Sequence, residues 1–369
     1  MKKFSTLLLL IAVLGATASS AAAKDKESAK KEKKTTLTKA ERLDFIRRAQ
    51  VWQPTNVADM DIRVGPQGKD AFAFDALVTC DYVETKLPGS SRKFDCKLDD
   101  GDVVKVRYGA ANGEVEGNVV ATRLLWALGF GADRVYPVRV TCRGCSSDPW
   151  TNPKKASGDQ TFDPAAIERK AEGHEMKHNG QSAWAWTELA LVDEAKGGAP
   201  RAQRDALTLL AVFMQHTDSK PEQQRLVCLP DGLTDAGVCE KPFLALHDVG
   251  LTFGHANFYN RNVTGSVNFS EWSRTPIWRD ANKCVAHQSQ SKTGTLGEPK
   301  ISEAGRAFLA GLLMQLSDTQ LRDLFEVSRV DRRRNKLDGS DAASAASVDA
   351  WVDAFKRKRE EIVTTRCPS

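Results

Sequence analysis

The chain has 369 residues, 41% of them apolar and 27% charged, enough to build a sizeable core and too ordered in composition for global disorder. Its 53 basic and 48 acidic side chains give a net charge of +5. Lys2, Lys3 and the lysine excess of residues 24–34 account for that surplus, so the body is neutral and a nucleic-acid-binding role is excluded.

The first 23 residues have a basic start at Lys2 and Lys3, an apolar run from Leu7 to Leu14, and small residues at Ala21-Ala22-Ala23. That is the pattern of a secretory signal peptide. No later window is apolar enough to span a bilayer, so stable membrane insertion is not expected. A secreted or periplasmic location follows, and there the eight cysteines read first as disulfides. Cys80 and Cys96 flank the turn LPGSS, and Cys228 and Cys239 flank PDGLTDAG. A symmetric hairpin would set each pair directly opposite, at a spacing a disulfide accepts. Cys142 and Cys145 form a C-x-x-C whose options are a local bond, a redox pair, or bonds to Cys284 and Cys367. A zinc site would need help from His174 and His178.

In chain order, residues 24–36 read as a charged tail and 37–58 as a helix with its connection. Thr38 and Glu41 have capping-box spacing for that helix, which should run through Arg48. Residues 59–145 alternate as short strands, with one helix near 114–128 ended by Gly129 and a strand at 136–142. The polar stretch 146–182 reads as a connection between lobes, and 183–366 as a second, mainly helical lobe with one hairpin. The fold class expected is therefore α+β, a small β-rich lobe on a larger helical one, with a cleft between.

Four segments carry residues suited to nucleotide and metal. Gly89, Ser90 and Ser91 sit in a turn whose backbone could approach phosphate oxygens. Lys105 lies within the β-branched strand VVKVR. Asp218, Lys220 and Gln223 follow a buried apolar helix in one short loop, offering a carboxylate, an ammonium and an amide. Asp248 ends an apolar strand and is followed at +2 by Gly250, an arrangement suited to a divalent ion with hard oxygen ligands. Each has a plain alternative: a hairpin turn, a solvated edge lysine, a surface loop, a capped β-turn. Their order, glycine turn, strand lysine, acidic helix, helix-then-Asp loop, Asp-x-Gly, is what sets them apart.

On PGSSRKFDCKLDDGDVVKVRYG, HTDSKPEQQRLVCL and ALHDVGLTFG the chain resembles the atypical protein-kinase-like superfamily, especially secretory-pathway (Golgi casein-kinase-like) kinases and type II phosphatidylinositol 4-kinases. The resemblance covers roughly residues 75–330. It implies a two-lobed kinase-like fold, ATP as co-substrate and Mg or Mn as cofactor. It gives Lys105 the phosphates, Asp218 the acceptor hydroxyl and Asp248 the metal. Gln223 stands where the family has a metal-binding Asn, and Asn118 stands where its helix Glu would pair with the lysine, leaving Glu114 or Glu116 as substitutes. The implied activity is phosphoryl transfer to a hydroxyl on protein, glycan or lipid head group. An inactive kinase-fold binding module and an unrelated disulfide-stapled secreted domain are the alternatives.

Overall fold

The computed structural model describes residues 35–68, 70–254, 266–288, 293–334 and 346–368. The leader at 1–23 and most of the charged tail lie outside them. Helix α1 (Lys39–Arg48) starts at Thr38 with the expected reciprocal cap, Thr38 Oγ1 accepting from Glu41 N and the Glu41 carboxylate accepting from Thr38 N. Strands β1 (Ala76–Val83), β2 (Lys93–Lys97) and β3 (Val103–Tyr108) form a meander. Helix α2 (Gly113–Ala127) follows, then β4 (Arg134–Arg143) and β5 (Asp159–Arg169). The five close into a barrel in the order β1-β2-β3-β5-β4, with β1 and β4 running parallel at the seam.

Strand β5 corrects the reading of 146–182 as a connection. Its sequence DQTFDPAAIER carries acids and a proline and lacks a β-branched run, so nothing local marks it as a strand. It is specified by its neighbours, pairing antiparallel with both β3 and β4. The connection proper is short, from Lys170 to β6 (His174–Glu175).

The second lobe contains α3 (Arg201–Phe213), the hairpin β7 (Gln224–Cys228) and β8 (Pro242–Leu246), α4 (Phe269–Arg274), the short pair β9 (Trp278–Asp280) and β10 (Val285–Ala286), then α5 (Glu303–Leu313), α6 (Asp318–Val327) and α7 (Val348–Thr364). Each lobe has its own core. Phe94, Val104, Val106, Tyr136 and Ile167 fill the barrel, while Leu210, Phe213, Trp272, Phe325 and Trp351 belong to the helical core, which the second half of α2 also joins through Leu124 and Leu125. Trp184 and Trp186 are buried there, as core aromatics rather than a ligand platform. Among the described residues no helix is long and apolar enough to cross a membrane.

Four disulfides are present: Cys80–Cys96, Cys142–Cys145, Cys228–Cys239 and Cys284–Cys367. Every cysteine is used, which removes thiolate ligands for zinc. The expected direct opposition does not hold. Cys96 faces Tyr82 in the β1–β2 ladder and Cys228 faces Pro242, so the hairpin bonds run diagonally or from beyond the strand end.

Candidate functional site

The period-two alternation of β3 decides where the chemistry sits. Val104 and Val106 point into the barrel, so Lys105 and Arg107 share the outer face, under α2. Cross-strand register puts Lys93 beside Arg107 and Glu168 beside Lys105 on that face. Lys105 Nζ donates to Glu168 Oε1 at 2.9 Å. Arg107, almost wholly buried, donates to Glu114, to Glu168 Oε2 at 3.2 Å and to Asp248 Oδ1 at 2.8 Å. Ser91 Oγ, also buried, donates to Glu114 Oε2 at 2.7 Å. Glycine turn, strand cations, α2 and the Asp-x-Gly segment thus meet in one network.

This corrects the pairing expected for Lys105. Neither Glu114 nor Glu116 reaches it: Glu114 is taken by Arg107, and Lys105 turns to β5. Glu116 lies away from the network, fully buried, its carboxylate without a hydrogen-bond partner among the described residues. Burial pushes its pKa up to about 8 against the pull of Arg333 and Arg329. Asn118 spends its amide on Glu114 O. The strand alternation that marks Lys105 also marks Arg107, two residues on, whereas Glu168 lies in a segment with no local strand signal.

Electrostatics divide the carboxylates. Burial disfavours ionisation of Asp248, but Arg107 outweighs it, with help from Lys105 and Lys93, and holds this carboxyl well below the usual range. Glu168 is depressed in the same way, burial again being overcome by Arg107 and Lys105. Glu114 goes the other way: burial dominates, and Asp248 across the shared guanidinium raises it further.

Asp248 has φ 38°, and close packing fixes the backbone around it. A Cβ on Gly250 would lie 2.5 Å from Asn118 Nδ2, and one on Gly117 would lie 2.3 Å from Gly250 O, so glycine at both positions lets α2 touch the Asp248 segment. The Asp218 loop is tied to the same segment through Thr217 N donating to Leu251 O at 3.2 Å and His247 N donating to Gln223 O at 2.8 Å. Asp218 Oδ2 accepts from Lys220 Nζ and from Gln223 Nε2, each at 2.8 Å. His216, two residues earlier, is fully buried with no partner for either ring nitrogen among the described residues, and burial lowers its pKa to about 4.

Asp133, Glu168 and His247 bring three ligand-type atoms within 4.8 Å of one another. Hydrogen bonding argues against a metal there. Arg225 Nη2 lies 2.8 Å from His247 Nε2, and a guanidinium can only donate, so Nδ1 carries the proton and faces Asp133. The other Asp133 oxygen accepts from Ala171 N at 2.9 Å. His247 and Asp133 therefore pin β8, the α2–β4 loop and the interlobe connection together. Asp248 and the Gln223 amide carry oxygen donors of the kind a hard divalent ion takes.

No protein-family model matches the chain, and no curated protein matches its sequence. Among solved structures it is similar to the Helicobacter pylori proinflammatory kinase CtkA, at 7% identity and a TM-score of 0.39, covering 78% of this chain and 93% of that one.

Proposed function

We propose that the chain is an exported, kinase-like phosphotransferase that uses a nucleoside triphosphate with Mg or Mn to phosphorylate a hydroxyl group. The observation that carries this reading is the Ser91–Glu114–Arg107–Asp248 network, which joins the glycine turn, β3, α2 and the Asp-x-Gly segment with the Asp218 loop hydrogen-bonded alongside. Phosphoryl transfer asks little more of a protein than positioning and charge neutralisation. The cations on the outer face of the barrel supply positive charge at the phosphates. Asp248 and Gln223 would hold the metal, which neutralises phosphate charge when bound. Asp218 takes the acceptor's proton as its oxygen bonds to the terminal phosphorus and the nucleoside diphosphate leaves. The leader at 1–23 would deliver the chain to the periplasm or medium, a location the four disulfides suit.

A non-catalytic nucleotide-binding module is the second reading, favoured by the grip of Arg107 on Asp248 and of Gln223 on Asp218. Two variants separate them. Asp248→Asn should abolish metal-dependent nucleotide affinity in calorimetric titration under either reading. Asp218→Asn should bind nearly as the wild type but lose transfer by about 10²–10⁴-fold if the chain is an enzyme. Wild-type protein that binds no nucleotide with either metal would remove both readings.

A further inference from the structure

Within the proposed nucleotide site, the cations picked out by strand position are already committed. Lys105 is paired with Glu168, and Arg107 is shared by Glu114, Glu168 and Asp248. A phosphate group arriving at either must compete with a buried carboxylate. Lys93, the first residue of β2, is in a different state. It lies on the same face, directly across from Arg107 in the ladder. Among the described residues its ammonium makes no hydrogen bond or ion pair, and it lies over the Trp150 ring, 5.8 Å from the centroid.

Its direction is equally informative. A Cβ built on Gly89 would lie 2.7 Å from Lys93 Nζ, so the ammonium rests against the tip of the glycine turn. Gly89 has φ 105°, a conformation that only glycine adopts without strain, and the missing side chain leaves room for that contact. Burial and the charges of Arg107 and Lys105 disfavour the ammonium there, while those of Glu114 and Asp248 favour it. Half-buried and resting against the turn, it is placed where a phosphate chain threaded under the turn would run.

We propose that Lys93 is the phosphate-binding cation of this site, closing on a nucleotide di- or triphosphate from the glycine turn while Lys105 and Arg107 organise the carboxylates. The assignment rests on the nucleotide-site reading above and deepens it. A positive group on β2 gives the turn a charge it can bring to the ligand.

The test compares adenosine, ADP and ATP binding to the full mature chain, with and without Mg²⁺, in wild type, Lys93→Met, Lys93→Arg and Lys105→Met. Loss of one charge-assisted contact should weaken ADP and ATP about tenfold to a hundredfold in Lys93→Met, with or without metal. Adenosine should be unaffected, and Lys93→Arg should recover most of the loss. Lys93→Met gives up no ion pair, and an unchanged melting temperature confirms its fold. If the wild type binds ADP and Lys93→Met binds it equally well, the assignment of Lys93 fails while the nucleotide site stands. Equal losses for adenosine and ADP also overturn it, by marking the effect as structural. If the wild type binds none of the three ligands, the nucleotide site itself fails, and Lys93 with it.

Discussion

Arg107 is the side chain on which the site's energetics turn. Its guanidinium is almost inaccessible and contacts three carboxylates, Glu114, Glu168 and Asp248, so removing it would leave buried charge uncompensated. Breaking a buried pair in that way costs about 3–5 kcal/mol, and Arg107→Met should show a loss of that order in urea unfolding. Arg107→Lys should recover only part, since a compact ammonium lacks the breadth of the guanidinium fork that reaches all three acids. A variant as stable as the wild type would mean the three acids find other partners. Glu116 presents the opposite case. Its unfolded pKa is ordinary and its folded value is raised to about 8, so the folded state holds the proton more tightly. The stability associated with the neutral form is complete below about pH 4.5 and is lost as pH climbs towards 8. Glu116→Gln, neutral at every pH, should therefore match the wild type near pH 4 and exceed it by roughly 1–3 kcal/mol at pH 9. Parallel stability curves across that range would show that the carboxyl is not held neutral.

At the scale of elements, the parts that could be read from sequence are those whose signal is local. The Thr38 cap, the stop at Gly129 and the apolar face of α3 each depend on neighbours within a turn or two. Lys105 could be found because it interrupts a β-branched run, and Asp248 because an apolar strand ends on it. β5 could not, because it owes its strand conformation to the edges of β3 and β4 rather than to its own residues. Glu168 is for that reason unmarked in the sequence, whereas the acids of α2 stand out through the resemblance. The disulfides show the same division. Hairpin symmetry identified the Cys80–Cys96 and Cys228–Cys239 pairs but not their offset register, and the Cys284–Cys367 partners lie 83 residues apart with no local mark. This last bond ties the end of α7 back to the β9–β10 pair. On a loop-closure argument it contributes about 4–5 kcal/mol, against about 1–2 for the three-residue separation of Cys142 and Cys145. Replacing both cysteines of each pair by serine should reproduce that order in melting experiments. A Cys142/Cys145 double variant that loses more than the Cys284/Cys367 one would contradict it.

For the molecule as a whole, the question is how two separate cores keep the outer face of the barrel aligned with the Asp218 and Asp248 loops. The second half of α2 provides one link, packing Leu124 and Leu125 into the helical core while its first turn carries Glu114 to the barrel. Asp133 provides the other. It lies in the loop between α2 and β4, accepts from Ala171 N in the interlobe connection, and meets the protonated Nδ1 of His247, the residue before Asp248. Backbone bonds reinforce the contact, Asp133 N donating to Leu246 O and Leu246 N to Gly131 O. Removing the Asp133 side chain would orphan a buried amide and an imidazole N–H together, and Asp133→Ala should cost about 2–4 kcal/mol. Asp133→Asn keeps an acceptor but not the charge, so its loss should be smaller. The structural consequence should be local as well as global. Amide exchange at Ala171 and along β8 should quicken in Asp133→Ala at denaturant concentrations where the barrel strands are still protected, because the contact it removes joins the lobes rather than either core. If exchange instead rises uniformly through barrel and helices, Asp133 supports the fold in general rather than the register of the two lobes.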